Sequence, residues 1–323
     1  MNRVSRNLSL LTTGLLLPFV AGCGTSHPIA SHSGAVTVAY AGSLQLVNQQ
    51  NLGPEFSKMT GIHYSGRGGG AFGLAHEIAS HTIQADVFES MGLAPIKVIA
   101  PGSHAWGIAV ASSPLVVAYS PKSSFASTLN AIRTHKAPLS ELFSLMLNPR
   151  FKLGRTNPVT DPQGQAFAEM VQLAVNKYHL SPHDVGRILG GSATKSREIY
   201  SEEGILTNLQ SGGLDASSAF LSEAIQRHLP YITLPPSLNF GSLRYAPTYA
   251  RAGLEINGAR VTGVPLLIDV TLTQRHPSTA ALHFLNFLAD PKGQNIWKQM
   301  GYHTFAPYVV GNSHAVPKGV TIP

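Results

Sequence analysis

The feature that most constrains the fold is an alternation of short β-rich segments with longer segments of helical periodicity. Residues 36–40, 85–90 and 115–119 are the clearest strands, and residues 71–81 carry apolar side chains at helical spacing. That spacing places the apolar side chains on one face of a helix. Strands that alternate with helices of this size predict an α/β architecture with mostly parallel sheets.

The rest of the chain continues this alternation, and residues 235–263 are expected to be irregular because they are rich in Pro, Gly and Tyr. The further strands are predicted at 62–65, 151–154, 214–220 and 266–272, and the further helices from 43 through 58 and at 165–178, 205–210, 279–288 and 292–300.

Chain length and composition indicate a globular protein of two domains. The chain has 323 residues, and about 100–200 residues per domain is usual. Its hydrophobic content of 43% is enough to build a core and excludes intrinsic disorder. No apolar run after residue 22 approaches the ~18–20 residues of a membrane helix, which excludes a polytopic membrane protein.

The N-terminus has the pattern of a bacterial lipoprotein signal. Arg3 and Arg6 precede a mostly apolar segment at 8–20, and small residues lead to Cys23, the chain's only cysteine. We predict a signal peptide at 1–22, acylation of Cys23 and a flexible tether over 23–35. Two acyl chains would anchor the protein firmly to the extracytoplasmic face of the membrane. The alternative is an ordinary secretory signal with an incidental cysteine.

Net charge limits the kinds of binding partner, and cysteine content limits the kinds of scaffold and metal site. Removal of 1–22 takes away two arginines and lowers the formal net charge from +7 to +5. The remaining excess is spread along the chain without a basic block or an aromatic-interleaved stripe, so we expect no nucleic-acid partner. A weak positive field suits an anionic small ligand. One cysteine also excludes a disulfide scaffold and a structural Cys-based zinc site.

Three junctions that lead into helices are candidate anion sites, because helix N-termini present free N–H groups and a partial positive charge. Ser43 follows the first strand and either caps its helix or donates its hydroxyl to a bound oxyanion. The glycine cluster 66–70 precedes a helix from Ala71 and forms either an anion nest or a flexible loop. In the loop 156–164, Asp161 is a candidate cap, and the N–H groups of Gln163 and Gly164 either face a ligand or belong to a simple turn.

Catalytic signatures are missing from the chain. It has no G-x-S-x-G elbow, no Walker A loop and no H-E-x-x-H motif. We therefore predict a binding protein without cofactor or resident metal. An extracellular enzyme on a related two-lobed fold is the rival from a different class.

Several stretches, in order, resemble the solute-binding lipoproteins of molybdate/tungstate ABC transporters, which have the type II periplasmic-binding-protein fold. The resemblance spans nearly all of residues 36–305. The stretches that carry it are Ala41-Gly42-Ser43-Leu44, residues 78–90, 106–119, 154–164, 211–224 and 231–235, and the C-terminal segments 263–272 and 280–301.

The resemblance implies two α/β lobes, one formed by 36–116 with 266–323 and the other by 117–265. It also implies an oxyanion held between facing helix N-termini, and a monomer that works with an ABC permease and its ATPase. Molybdate and tungstate are the ligands it favours. The same scaffold binding sulfate, thiosulfate, phosphate or an organic acid is the alternative.

The resemblance assigns each site position of the family to one residue of this chain. Ser43 matches the first serine donor, and Ala71, after Gly70, stands where the family has a second serine. Asp161 matches the aspartate of the second-lobe loop, with Gln163 and Gly164 as backbone donors beside it. Members that coordinate the metal of the anion with two carboxylates have a glutamate and an aromatic residue where this chain has Ala219 and Phe220. We therefore expect Asp161 to orient its loop.

Overall fold

The computed structural model describes residues 34–190 and 199–323, and two mixed sheets organise them. The strands are β1 (Ala35–Ala41), β2 (His63–Gly69), β3 (Val87–Met91), β4 (Trp106–Ser112), β5 (Leu115–Tyr119), β6 (Leu153–Thr156), β7 (Ile199–Tyr200), β8 (Ala216–Phe220), β9 (Tyr231–Thr233), β10 (Gly253–Ile256), β11 (Ala259–Thr262), β12 (Leu267–Leu272) and β13 (His303–Gly311). Cys23 and the signal segment lie outside the described residues.

Helices connect most of these strands. They are α1 (Gln45–Val47), α2 (Gly53–Thr60), α3 (Ala71–Ala79), α4 (Leu93–Ile99), α5 (Ala126–Arg133), α6 (Ser140–Met146), α7 (Pro162–Tyr178), α8 (Pro182–Ile188), α9 (Glu202–Ser211), α10 (Leu221–Gln226), α11 (Ala246–Tyr249), α12 (Thr279–Ala289) and α13 (Pro291–Gln299). Directly after β1, a 3₁₀ turn at Gly42–Leu44, α1, a π-helical turn at Asn48–Leu52 and α2 follow one another as one helical segment. Within the described ranges, no helix combines the length and apolar character needed to span a bilayer.

The larger sheet has the strand order β13-β4-β12-β3-β1-β2. Strands β2, β1 and β3 are parallel, whereas β12, β4 and β13 each run antiparallel to their neighbours. The prediction of a mostly parallel sheet is therefore wrong for this half. Two strands that follow one another in the chain can be parallel neighbours only if a crossover connection joins them. Strand β12 instead enters the larger sheet between β3 and β4 after the chain has passed through the smaller sheet, and it does so in the opposite direction.

The smaller sheet has the order β7-β6-β8-β5-β9 and is also mixed. Strands β7 and β8 run parallel to β6, while β5 is antiparallel to both β8 and β9. The larger sheet takes its strands from 35–112 and 267–311, and the smaller from 115–233. The predicted α/β class is present, and the assignment of the lobe boundaries to 116/117 and 265/266 stays a prediction.

Both sheets are covered by helices, so their central strands are buried along their whole length. Every residue of β4, β5, β8 and β12 is buried. Aromatic packing closes the core beside the larger sheet, where the rings of Phe56 and Phe284 meet edge to face at 5.0 Å. Burial on both faces explains why β5, Leu115–Tyr119, reads as an apolar run.

The glycine cluster is the clearest local correction. Gly66–Gly69 belong to strand β2, and only Gly70 remains as the N-cap of α3. A Cβ on Gly66 would lie 2.5 Å from Tyr64 Oη, and one on Gly68 would lie 2.9 Å from the Tyr40 ring. Aromatic rings packed against the strand explain Gly66 and Gly68. Of the two alternatives left open for this cluster, the described residues show neither the anion nest nor the flexible loop, because residues 66–69 form a strand.

Two further segments differ from expectation. Strand β6 continues to Thr156 and α7 begins at Pro162, which shortens the predicted loop 155–164 to five residues. Residues 235–263, expected to be irregular, contain α11 and the antiparallel pair β10–β11.

Candidate functional site

A cleft of about 250 Å³ lies between the end of β2 with α3 on one side and the loop after β6 on the other. The backbone N–H of Phe72 donates to the carbonyl of Thr160 across it, at 3.2 Å. The residues that line it are Arg67, Gly68, Gly69, Gly70, Gly73, Leu74 and Glu77 from the first side and Asn157, Thr160, Asp161, Tyr200 and Ser201 from the second. Two of the predicted site residues, Gly70 and Asp161, line this cleft.

The N-terminus of α3 points into this cleft. Gly70 is the N-cap, and a Cβ there would lie 3.2 Å from the carbonyl oxygen of Thr160, so a glycine permits the close approach of the opposite loop. Ala71 is buried and belongs to the hydrophobic core. The first N–H groups of a helix have no partner within it, and the macrodipole makes this end attractive to anions.

Ser43 occupies the turn Gly42–Leu44 directly after β1 and is 3% exposed. Ala41 pairs with Gly69, so the ends of the parallel strands β1 and β2 place Ser43 beside the start of α3. Its carbonyl accepts from Tyr302 Oη at 3.2 Å, whereas its own Oγ has no hydrogen-bond partner among the described residues. A buried hydroxyl without a partner costs about 1–3 kcal/mol, and a ligand oxygen at this position would remove that cost.

Thr156 carries a second buried hydroxyl that the sequence did not identify, and neither Thr156 nor Ser43 is among the residues that line the cleft. Thr156 ends β6, pairs with Tyr200 of β7 and directly precedes Asn157, and both of these neighbours line the cleft. Its Oγ1 is buried and also without a hydrogen-bond partner in the described part of the chain. A hydroxyl residue at the carboxyl end of a strand was the only signal available.

The loop after β6 is held by Asp161, which caps α7. Its Oδ1 accepts from the N–H of Gln163 at 2.8 Å. The side chain of Gln163 lies behind the cleft, where Nε2 donates to Glu223 Oε2 at 2.8 Å and Oε1 accepts from Ser218 Oγ at 2.9 Å. Direct contact between a ligand and the N–H groups of Gln163 or Gly164 stays a prediction.

Gly164 has a structural role in shaping this loop. A Cβ at this position would lie 2.8 Å from the backbone nitrogen of Pro158 and closer still to the carbonyl oxygen of Thr156. Because both neighbours are backbone atoms, they cannot move aside without shifting the loop itself. Gly164 therefore lets the loop fold back onto the first turn of α7.

Ala219 and Phe220 line no part of the cleft described above. Ala219 is fully buried in an apolar cluster with Val116 and Ile205, because alternate residues of β8 face opposite sides and Ser218 faces Gln163. Phe220 is buried in the main core. Its backbone N–H donates to Glu223 Oε2 at 2.9 Å.

Glu223 is the acidic residue that the sequence did not single out. It lies on α10, one turn after Ala219, and is 3% exposed. Burial raises the pKa of its carboxyl to about 8, and the nearby charge of Asp161 acts in the same direction. This chain thus places a second acid close to Asp161, but from a helix instead of from the strand.

Arg67 and Glu77 form an ion pair at the mouth of the cleft, with Nη2 and Oε2 2.9 Å apart. Both side chains are substantially exposed, so the pair itself contributes little to stability. Within the described ranges, no group of three His, Cys, Asp or Glu residues is placed to hold a metal ion. The polar groups that the cleft offers include the N-terminus of α3 and the side chains of Arg67, Asn157, Thr160 and Ser201.

Similarity to known proteins shows the family of this chain. Residues 36–303 match the family described as bacterial extracellular solute-binding protein. The chain is 24% identical over 333 residues to the molybdate/tungstate-binding protein WtpA of Thermococcus kodakarensis, with 91% of this chain and 90% of that protein covered.

Solved structures show the same fold. The periplasmic molybdate-binding protein of Azotobacter vinelandii superposes with a TM-score of 0.56 at 17% identity, covering 83% of this chain and 98% of that one. The sulfate-binding protein SubI of Mycobacterium tuberculosis superposes with a TM-score of 0.56 at 14% identity, covering 84% and 87%. The expected periplasmic-binding-protein fold is confirmed, and the chain belongs to the family of bacterial extracellular solute-binding proteins.

Proposed function

We propose that the protein captures an oxyanion, with molybdate or tungstate favoured, and delivers it to the permease and ATPase of an ABC importer. The observation that supports this proposal is a pair of buried hydroxyls without hydrogen-bond partners among the described residues, Ser43 Oγ in the turn after β1 and Thr156 Oγ1 at the end of β6. The cleft is lined by Asn157, the residue that follows Thr156, and by Gly69, which pairs with the last residue of β1. The N-terminus of α3 lies on the first side of the cleft, where one of its first N–H groups, that of Phe72, donates to the Thr160 carbonyl. Such donors suit a ligand that only accepts hydrogen bonds.

The hydrogen bonding of Asp161 favours a tetrahedral anion over one whose metal atom takes extra oxygen ligands from protein carboxylates. One Asp161 oxygen already accepts from the N–H of Gln163, and Ala219 offers no carboxylate. The molybdate/tungstate-binding relative supports these two anions. Sulfate, thiosulfate and phosphate form the second candidate class, because hydroxyl and N–H donors serve any tetrahedral oxyanion.

Anion binding should raise the thermal stability of the protein. An anion at 100 times its dissociation constant adds about 2.7 kcal/mol, which corresponds to an increase of roughly 5 °C in Tm for a chain of this size. Thermal unfolding is measured with molybdate, tungstate, sulfate, thiosulfate and phosphate in turn. A response to sulfate alone would select the second candidate class, and no response to any of the five anions would contradict the proposed function.

The matched variant for this experiment is Ser43→Ala. Loss of a hydrogen bond to a charged ligand costs about 1.5–3 kcal/mol, so the variant should bind the active anion roughly 10- to 100-fold more weakly in titration calorimetry. Ser144→Ala is the control, because the Ser144 hydroxyl is exposed on α6 and donates to the carbonyl of Ser140 in the same helix. Equal affinity of the Ser43 variant and the parent would remove Ser43 from the site.

We propose that the mature protein is a monomer anchored through acylated Cys23 at the extracytoplasmic face of the membrane. The support is the sequence Val20-Ala21-Gly22-Cys23 after a basic and then apolar segment. Cys23→Ser should move the protein from the membrane fraction to the soluble fraction, since two buried acyl chains provide the attachment. A variant that sediments with membranes as completely as the parent would contradict the anchor.

A further inference from the structure

Behind the cleft, Glu223 joins the loop after β6 to the start of α10. Its Oε2 accepts both the side-chain amide of Gln163 at 2.8 Å and the backbone N–H of Phe220 at 2.9 Å. Gln163 in turn stands two residues after Asp161, whose side chain borders the cleft and caps α7. Any change at the Glu223 carboxyl is therefore transmitted directly to the first turn of α7.

The charges around Glu223 come from three elements. Asp161 at the start of α7 disfavours its ionisation, Arg227 at the end of α10 favours it, and the buried Tyr302 before β13 also senses its charge. Among the described residues, no Lys, Arg or His nitrogen lies within ion-pair distance of its carboxylate. A negative charge on Glu223 would thus stand beside Asp161 with no close compensating cation.

We infer that Glu223 is a positioning residue for the anion-binding wall of the second sheet and that its carboxyl is protonated and neutral whenever the anion is bound. The inference rests on the proposed function. In the neutral acid, Oε2 still accepts the two N–H groups while Oε1 carries the proton. The network that positions α7 is therefore kept without adding a second negative charge next to Asp161 and the bound anion.

The sign of the expected pH dependence follows from this arrangement. Burial places the pKa of Glu223 at about 8 in the protein, so the side chain is neutral at lower pH and ionises above that value. A bound anion favours the neutral form further, because it adds negative charge to the same region. Affinity should be constant below about pH 7.5 and fall above pH 8, by at most tenfold per pH unit for one linked proton.

Proton uptake by the unmodified full chain tests the inference directly. Molybdate, and separately sulfate, is titrated calorimetrically at pH 6.5 and 9.0 in two buffers of different ionisation enthalpy. We expect uptake close to zero at pH 6.5 and a fraction approaching one proton at pH 9.0. Absence of binding by every anion would remove the proposed function together with this inference. Binding without proton uptake at pH 9.0 would overturn the inference alone.

Replacement of single buried glutamates by glutamine shows which residue takes up the proton. Glu223→Gln keeps an oxygen for the Gln163 and Phe220 donors, so it should retain the pH 6.5 affinity within about threefold and lose the decline above pH 8. Glu169→Gln is the matched control, because its carboxyl is buried, also has a pKa of about 8, and lies eight residues along α7, about 12 Å from Asp161. It should keep the decline.

A second control lies in the larger sheet. Glu89 of β3 is fully buried with a pKa of about 8, and its charge, like that of Glu223, raises the pKa of Tyr302. Glu89→Gln should keep the pH dependence of anion affinity. A decline that persists in Glu223→Gln, or one that disappears in Glu89→Gln instead, would overturn the inference. If Glu223→Gln does not fold, the proton uptake of the parent protein still decides the matter.

Discussion

The free energy of unfolding should rise by several kcal/mol when the pH falls from 8 to 5. Among the described residues, four buried carboxyl groups have a raised pKa: burial raises the pKa of Glu89, Glu169 and Glu223 to about 8 and that of Asp269 to about 7. In the unfolded chain the same groups titrate near ~4. Between these values the folded protein binds more protons than the unfolded chain, so stability increases as the pH falls and is lost as it rises towards the folded pKa values.

The surroundings of these acids explain the size of the effect. Glu89 Oε1, Glu169 Oε1 and Asp269 Oδ1 have no hydrogen-bond partner among the described residues, so ionisation inside the protein is poorly compensated. One fully linked group changes stability by about 1.4 kcal/mol per pH unit. Relaxation of the structure reduces the sum over four groups, but the direction is the same for each of them.

Denaturant unfolding at pH 5, 6.5 and 8 in buffers without binding anions measures this dependence. The Glu169→Gln variant provides the internal check, because glutamine stays neutral at every pH. It should be more stable than the parent at pH 8 and show a shallower slope. A stability that is flat or that increases from pH 5 to pH 8 would contradict the assignment of neutral buried acids.

Gly164→Ala should lower the free energy of unfolding by about 3 kcal/mol, at the upper end of typical overpacking costs. The added methyl group would meet the backbone of Thr156 and Pro158, which cannot rotate out of the way as a side chain would. The loop must therefore move away from α7. Since this loop carries Asn157, Thr160 and Asp161, anion affinity should fall together with stability.

Gly186→Ala is the matched control for this substitution. Gly186 lies inside α8, and a Cβ there would meet nothing within 4 Å. Alanine favours a helix over glycine by about 1 kcal/mol, so the control should be neutral or stabilising. Denaturant titrations of the two variants and the parent make the comparison. Equal stability of the Gly164 variant and the parent would show that the loop after β6 yields easily.

Local features were readable from the sequence because their causes are local. Asp161 was a candidate cap, and it caps α7, since the carboxylate accepts from the N–H of Gln163. The helix begins at Pro162, three residues before the predicted start at 165, because proline fits the first turn of a helix. Helices α12 and α13 follow apolar spacing and the Asp290-Pro291 junction, and both lie within one or two residues of the predicted bounds. The family resemblance identified the fold, which the structure and the comparisons confirm.

Tertiary structure decided everything that depends on pairing between distant segments. Strand β12 lies antiparallel between β3 and β4, about 155–180 residues away in the chain, and no local pattern specifies that orientation. The role of Glu223 could not be predicted for the same reason. Glu223 is far from Asp161 in the chain and comes close to it only because α10 packs against the start of α7.

The glycine cluster and Ala219 show the same division between local and long-range causes. A run of glycines permits a loop, but the rings of Tyr40 and Tyr64 make it a strand. Ala219 was assigned to the site by its place in the chain, yet the alternation of β8 turns it towards an apolar cluster. Sequence determines which elements form where hydrogen bonding and caps are local. Packing between elements determines which side chains share the cleft, because that requires burial of surfaces contributed by separate parts of the chain.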